Sequence, residues 1–224
     1  MSNVIEDIKR NFNTGNALTK LIYINVGVFL LFQILIVFSF LLSIADLRFP
    51  SFFALPADIN TLAKKPWAII TYMFLHQSFL HLLFNMLWLY FGGKIFLSFF
   101  SNKQLISTYV LGGICGGILF VLSFNIFPVF ANNVQYAIAI GASASVLAIV
   151  LAIATKSPNY PIRLFFIGNI KLKHIALACI ILDILSIPKG NAGGHLAHLG
   201  GAFFGFLYVK KLNRGNDISS GFNK

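Results

Sequence analysis

Residues 79–100 read Phe-Leu-His-Leu-Leu-Phe-Asn-Met-Leu-Trp-Leu-Tyr-Phe-Gly-Gly-Lys-Ile-Phe-Leu-Ser-Phe-Phe. An apolar run of this length, with one lysine near its end, matches the ~20 residues a helix needs to cross the hydrocarbon core of a bilayer. Its first two turns nevertheless hold His81 and Asn85. Four residues apart, they share one face of a helix. Polar side chains are costly at membrane depth and by default mark functional sites.

Five further stretches have the same character: Leu21 to Ile44, Leu105 to Phe124, Tyr136 to Ala154, Leu172 to Ile187 and Ala192 to Val209. The fifth of the six, Leu172 to Ile187, is the weakest, being short and carrying Lys173, His174 and Asp183. Hydrophobic residues make up 58% of the chain and charged residues 10%, against roughly 45–50% and 25% in soluble domains. The pattern predicts an all-α membrane protein, a six-transmembrane-helix bundle forming one domain over residues 21–211. Residues 1–20 form a cytoplasmic N-terminal segment and 212–224 a polar, mobile cytoplasmic tail.

Between the first two spans, Ala45 to Ser78 carries Pro50, Pro56 and Pro66 among apolar pieces. It is too broken to span and too apolar for a free linker, so it is expected to lie in the interface, with Trp67 and Tyr72 at headgroup depth. The start of the chain has no cleavable signal pattern, and the first span is expected to serve as the insertion signal. The formal net charge is +11. With both termini in the cytoplasm, only Arg48, Lys64, Lys65 and Lys189 of the 17 basic residues fall on the other side. The positive-inside rule therefore places both ends in the cytoplasm, and spans 2, 4 and 6 start from the outer face. The basic residues are scattered at span ends and form no nucleic-acid-binding stripe.

Those three even-numbered spans each carry polar residues near their start: His81 and Asn85, then Ser143, then His195 and His198. For Gly141-Ala142-Ser143-Ala144-Ser145, close helix packing is the plain reading, because Gly141 and Ser145 have small-xxx-small spacing. The functional reading makes Ser143 a nucleophile, about seven residues or ~10 Å below the start of its helix. His198, in Ala197-His198-Leu199-Gly200-Gly201, lies at similar depth, and the glycines beside it allow a neighbouring helix to approach. A neutral imidazole there can accept the serine proton. His195 competes for that role, with an interfacial histidine as its plain reading. Asp183 either orients an imidazole or meets water at the end of its span, the second being the simpler expectation. His81 and Asn85 can donate hydrogen bonds while uncharged, which suits an oxyanion site worth ~3 kcal/mol; the plain reading is interhelical glue of about 1 kcal/mol.

Gly112, Gly113, Gly116 and Gly117 of the third span read as packing positions. Cys115 and Cys179 sit inside apolar spans, where a thiol is inert. Metal ligation by His76, His81, His195 and His198 is an alternative, but no pair has the spacing of a zinc motif with an acid beside it. No metal and no cofactor are expected.

Taken together, His76-Gln77-Ser78-Phe79-Leu80-His81 running into Leu82-Leu83-Phe84-Asn85-Met86, the Gly141-Ala142-Ser143 turn, and Ala197-His198-Leu199-Gly200-Gly201 resemble the rhomboid intramembrane serine proteases. The resemblance extends from about Leu21 to Lys211. It implies a Ser143–His198 dyad without a carboxylate, Ser143 as nucleophile and His198 as general base and acid. It also implies an oxyanion hole from His81, Asn85 and the Ser143 backbone N–H, and an interfacial loop between helices 1 and 2. Two positions depart from the family pattern: Ala144 stands where glycine is usual, and Leu147 where many members put an aromatic ring against the histidine. The extra methyl is expected to crowd the nucleophile and the lost ring to leave the histidine less well fixed.

The expected function is cleavage of transmembrane segments of other membrane proteins, with those substrates and membrane lipid as partners and no nucleic acid. A catalytically silent relative that binds or escorts membrane proteins is the alternative. A transporter with a midplane site would show paired, broken half-repeats, and none is visible. The expected location is the plasma membrane, as a multi-pass protein of the bacterial inner membrane.

Overall fold

The computed structural model describes residues 3–44, 49–164 and 168–223. The chain is mostly helical. An N-terminal helix α1 (Val4–Thr14) leads into α2 (Ala17–Leu41), and short helices α3 (Phe49–Phe53), α4 (Ile59–Lys64) and α5 (Ala68–Thr71) follow. The longer helices are α6 (Phe79–Leu97), α7 (Asn102–Ile126), α8 (Ser143–Lys156), α9 (Leu172–Ser186) and α10 (Ala192–Leu212). Local capping fixes their starts. Asn16 accepts the Thr19 N–H at 3.0 Å at the head of α2, and Ser78 accepts the His81 N–H at 3.3 Å at the head of α6. Ser101 and Gln104 form a reciprocal capping box on α7, which satisfies two otherwise orphaned N–H groups.

Three helices among the described residues, α2, α6 and α7, are long and apolar enough to cross a membrane. The remaining expected spans are shorter or more polar. α8 has 14 residues and α9 has 15, while the 21 residues of α10 include His195, His198, Lys210 and Lys211. The fourth span differs most from expectation. Tyr136–Ala142 is apolar enough to read as helix, but Ile138–Ala139 (β2) instead pairs antiparallel with Leu55–Pro56 (β1). The Ala57 N–H donates to the Ala137 carbonyl at 2.9 Å and the Gly141 N–H to the Tyr72 carbonyl at 3.0 Å. Gly141 then turns the chain at φ 127°, a conformation open to glycine, so the helix begins at Ser143 rather than seven residues earlier.

Buried on every side from Ala144 to Ala154, α8 is the central helix, as an apolar circumference requires. Its nearest neighbour α10 approaches through glycine: a Cβ on Gly201 would run into the Ala144 carbonyl oxygen, and one on Gly205 into that of Ala148. Before α9, Pro161–Leu164 (β3) and Gly168–Lys171 (β4) form an antiparallel hairpin.

Two expectations about the periphery are corrected. Tyr72 is 2% exposed, and its hydroxyl donates to the Gly113 carbonyl of α7 at 2.6 Å; it belongs to the core rather than to headgroup depth. Trp67 is exposed, with its indole N–H on the Phe52 carbonyl at 3.1 Å. The C-terminal segment is also docked. Asp217 accepts from the Gln104 side chain at 3.1 Å and from the Ser219 N–H at 2.8 Å, and Ser219 is buried. Residues 45–48, with which the connecting segment opens, lie outside the described residues, as do Lys224 and the Arg48 counted in the charge balance.

Candidate active site

His81, Asn85, Ser143 and His198, contributed by α6, α8 and α10, line one cavity of about 780 Å³. Ser143 is the first residue of α8, and Ala142 before it makes no side-chain cap. The first N–H groups of the helix are therefore free of intrahelical partners and carry its partial positive charge. N–H groups so placed can receive a negative charge without reorganising. Packing of Gly201 on Ala144 sets His198, one turn earlier on α10, beside that helix start. Ser143 and His198 share the cavity with no direct hydrogen bond between them among the described residues.

Gly141 adjoins the same site. A Cβ there would come within 2.8 Å of His81 Nε2 and 3.6 Å of Ser143 Oγ, so the left-handed turn that starts α8 also leaves room for the imidazole. Asn85 is buried, and its amide donates to the His81 carbonyl at 3.0 Å. That bond uses one of two amide hydrogens. Ser145, the other serine of the motif, is fully buried against Met73, its hydroxyl 3.8 Å from the thioether sulfur. The structure therefore separates two serines that the sequence places side by side.

The departure at Ala144 has a packing reason. Its methyl fills a notch on α7 where a Cβ on Gly116 would come within 2.6 Å of it. It packs toward α7. Leu147 is buried in the core.

Asp183 is placed differently from the simpler expectation. It is 8% exposed, and its Oδ1 lies 2.7 Å from His195 Nδ1 and 2.8 Å from His198 Nδ1. The three possible ligand atoms fall within 4.8 Å of one another, so these are the residues among those described that could hold a cation. The distances equally fit two charge-assisted hydrogen bonds.

Two other polar groups lie outside the expected dyad and oxyanion hole. His76 is 8% exposed, and its ring stands 5.1 Å from that of His81, edge to face. Neither of its nitrogens makes a well-formed hydrogen bond among the described residues. Burial, reinforced by the neighbouring His81 ring, pushes its pKa down to about 4 despite a small opposing contribution from the Phe74 backbone. Asn25 of α2 is fully buried, joined to the Tyr109 hydroxyl at 3.1 Å, while Tyr109 donates to the Met73 carbonyl at 3.0 Å. This satisfied network ties α2, α7 and the connecting segment together. A single asparagine in an apolar run was its only signal.

The family model for the Rhomboid domain matches residues 63–214. The presenilin-associated rhomboid-like protein A, mitochondrial, of Danio rerio is 29% identical over 140 residues, which cover 61% of this chain and 35% of the relative. RHOMBOID-like protein 12, mitochondrial, of Arabidopsis thaliana is 27% identical over 156 residues, covering 66% and 46%. The human presenilin-associated rhomboid-like protein, mitochondrial, is 25% identical over 139 residues. The matched region is less than half the length of each of these relatives. Their names place them in mitochondria and overturn the expectation of a bacterial plasma membrane. Charge asymmetry and span layout orient a chain in a bilayer but carry no information about which bilayer it is.

Proposed function

The chain belongs to the rhomboid family, and from that premise we propose that it is an intramembrane serine endopeptidase that cleaves transmembrane segments of other membrane proteins. The observation that carries this reading is the gathering of His81, Asn85, Ser143 and His198 around one cavity at the head of α8. In the proposed architecture α2, α6, α7, α8, α9 and α10 are six spans of a membrane domain over residues 21–211, flanked by segments 1–20 and 212–224. The segment between α2 and α6 forms the interfacial loop. At 14 residues, α8 is only ~21 Å long, against about 30 Å of hydrocarbon. With its Lys156 end at one interface, Ser143 is recessed roughly 10 Å below the other.

In the proposed reaction Ser143 Oγ attacks the scissile carbonyl carbon and its proton passes to His198. The carbonyl oxygen takes the negative charge and is held by the Ser143 N–H with His81 and Asn85. Collapse breaks the carbon–nitrogen bond, and His198 returns the proton to the departing amine. Water then hydrolyses the acyl-enzyme by the same two steps. A substrate helix must unwind to be cut, since its peptide bonds are otherwise shielded in their own hydrogen bonds. Membrane proteins with easily unwound helices are thus the proposed substrates.

The test is cleavage of a model transmembrane substrate by the protein in liposomes, comparing the parent with Ser143→Ala, Ser145→Ala and His198→Ala, each checked for folding. Product from the parent and from Ser145→Ala, and none from the other two, is the expected result. Binding of membrane proteins without product from any of the four would put the catalytically silent reading in its place.

A further inference from the structure

Asp183 sits three residues from the end of α9, an unfavourable place for an anion. The last carbonyls of a helix present partial negative charge, and burial strips water from the carboxylate. Two donors offset both costs. His195 Nδ1, at 2.7 Å, and His198 Nδ1, at 2.8 Å, converge on the same oxygen, Oδ1. An ionised carboxylate only accepts hydrogen bonds, so both Nδ1 atoms carry their proton. That leaves Nε2 of His198 as the nitrogen with a lone pair for the cavity that Ser143 also lines.

We propose that Asp183 is a positioning residue of the hydrolytic site, fixing His198 in the Nδ1–H tautomer and holding its ring in place, with His195 as a second donor that locks the carboxylate. This rests on the assignment of Ser143 and His198 as the reacting pair. During acylation the serine proton moves to His198 Nε2 as the Oγ–carbon bond forms, and the nearby carboxylate stabilises the resulting imidazolium. Asp183 stays ionised throughout. The proton leaves with the amine when the carbon–nitrogen bond breaks, which restores the starting tautomer. The arrangement adds an orienting carboxylate to the expected two-residue machinery, supplied by a helix other than those bearing the serine and the histidine.

The experiment combines three readouts on the full chain in detergent or liposomes: labelling of Ser143 by a fluorophosphonate, kcat and KM for a transmembrane substrate, and the ¹⁵N resonances of selectively labelled histidines. The parent is expected to label at Ser143 and to show His198 as the Nδ1–H tautomer. Asp183→Asn should lower kcat at least tenfold, with KM within about twofold, and shift His198 toward mixed tautomers; the loss of this interaction in a serine protease triad costs up to ~10⁴. His195→Gln, which keeps the carboxylate, should cost less than Asp183→Asn; the reverse order overturns the assignment of His198 as the oriented ring. A parent that does not label at Ser143 defeats the catalytic assignment itself, and this proposal with it. A parent that labels while Asp183→Asn keeps its kcat and tautomer defeats the positioning role alone. The parent spectrum decides even if the variant does not fold, because Nε2–H at His198 rules the role out. Stoichiometric zinc in the purified protein, retained until chelation, would overturn it in favour of a cation held by the same three side chains.

Discussion

Gly201 of α10 rests directly on the backbone of Ala144 in α8, so close that a Cβ at position 201 would collide with the Ala144 carbonyl oxygen. Backbone cannot swing aside as a flexible side chain can. Gly201→Ala should force the helices apart, lower stability by about 1–3 kcal/mol, and reduce turnover by moving His198 away from Ser143. Gly27→Ala on α2 is the control, since a Cβ there meets nothing within 4 Å; it should raise stability slightly, by up to about 1 kcal/mol. Melting curves and cleavage rates of the two variants in the same detergent check both statements, and equal behaviour would refute them.

Ala144→Gly restores the glycine usual in the family and should not raise activity, because the Ala144 methyl lies in the notch opposite Gly116. Its removal leaves a small void and a more flexible first turn. A loss of about 0.5–1 kcal/mol is expected, with kcat/KM no higher than the parent's. A severalfold rate increase would mean the methyl does crowd the nucleophile.

Asn85→Ala tests the proposed oxyanion donors. Removing one such donor typically costs 10²–10³ in kcat, so turnover should fall by that order while Ser143 remains in place. If the effect stays within a factor of two and only the melting temperature drops, Asn85 serves as glue between helices.

His76 makes stability depend on pH. Its folded value of about 4 lies below the ordinary 6.5, so the unfolded chain takes up a proton that the folded chain resists. This contribution is intact above pH 6.5 and is lost progressively as pH falls toward 4. His76→Phe, which keeps a ring and removes the nitrogens, should flatten that part of the stability curve. Melting temperatures of parent and variant at pH 7 and pH 4.5 give the comparison; parallel shifts would sink the assignment.

Asp217 has its carboxyl value lowered. Its partial burial acts to raise the value, but hydrogen bonds from Ser219, Gln104 and Tyr208 outweigh it. The docking it supports is therefore complete above the ordinary carboxylate range and weakens as pH drops through the depressed value. Asp217→Asn should speed hydrogen exchange over residues 216–221 at neutral pH, and the difference from the parent should shrink on acidification. Identical exchange at neutral pH would show that the carboxylate does not hold the segment.

Long apolar runs were the easiest features to read, because hydrophobicity persists over a whole helix: α2, α6 and α7 begin and end within a few residues of the expected limits. Short polar motifs inside those runs were legible too, since His81, Asn85, Ser143 and His198 cost energy wherever lipid or core surrounds them. Contacts between distant parts of the chain were not. The start of α8 depends on Leu55–Pro56, more than eighty residues earlier, pairing with Ile138–Ala139. Tyr136–Ala142 alone cannot reveal that. Asp183 looked like a helix-end acid because its partners stand 12 and 15 residues away across a turn. Tyr72 has the amphipathic chemistry of a headgroup anchor, and only the carbonyl of Gly113 within reach of its hydroxyl places it inside.

The pairing of β1 with β2 also limits how the site can be moved or copied. Ser143 takes its place from Gly141, whose N–H is held by Tyr72, and from a strand held by Leu55–Pro56. The position of Ser143 is inherited from the chain between α2 and α6. Grafting α6, α8 and α10 onto another helical scaffold would carry over His81, Asn85, Ser143 and His198 and still lose their arrangement, because the address of the serine is written elsewhere.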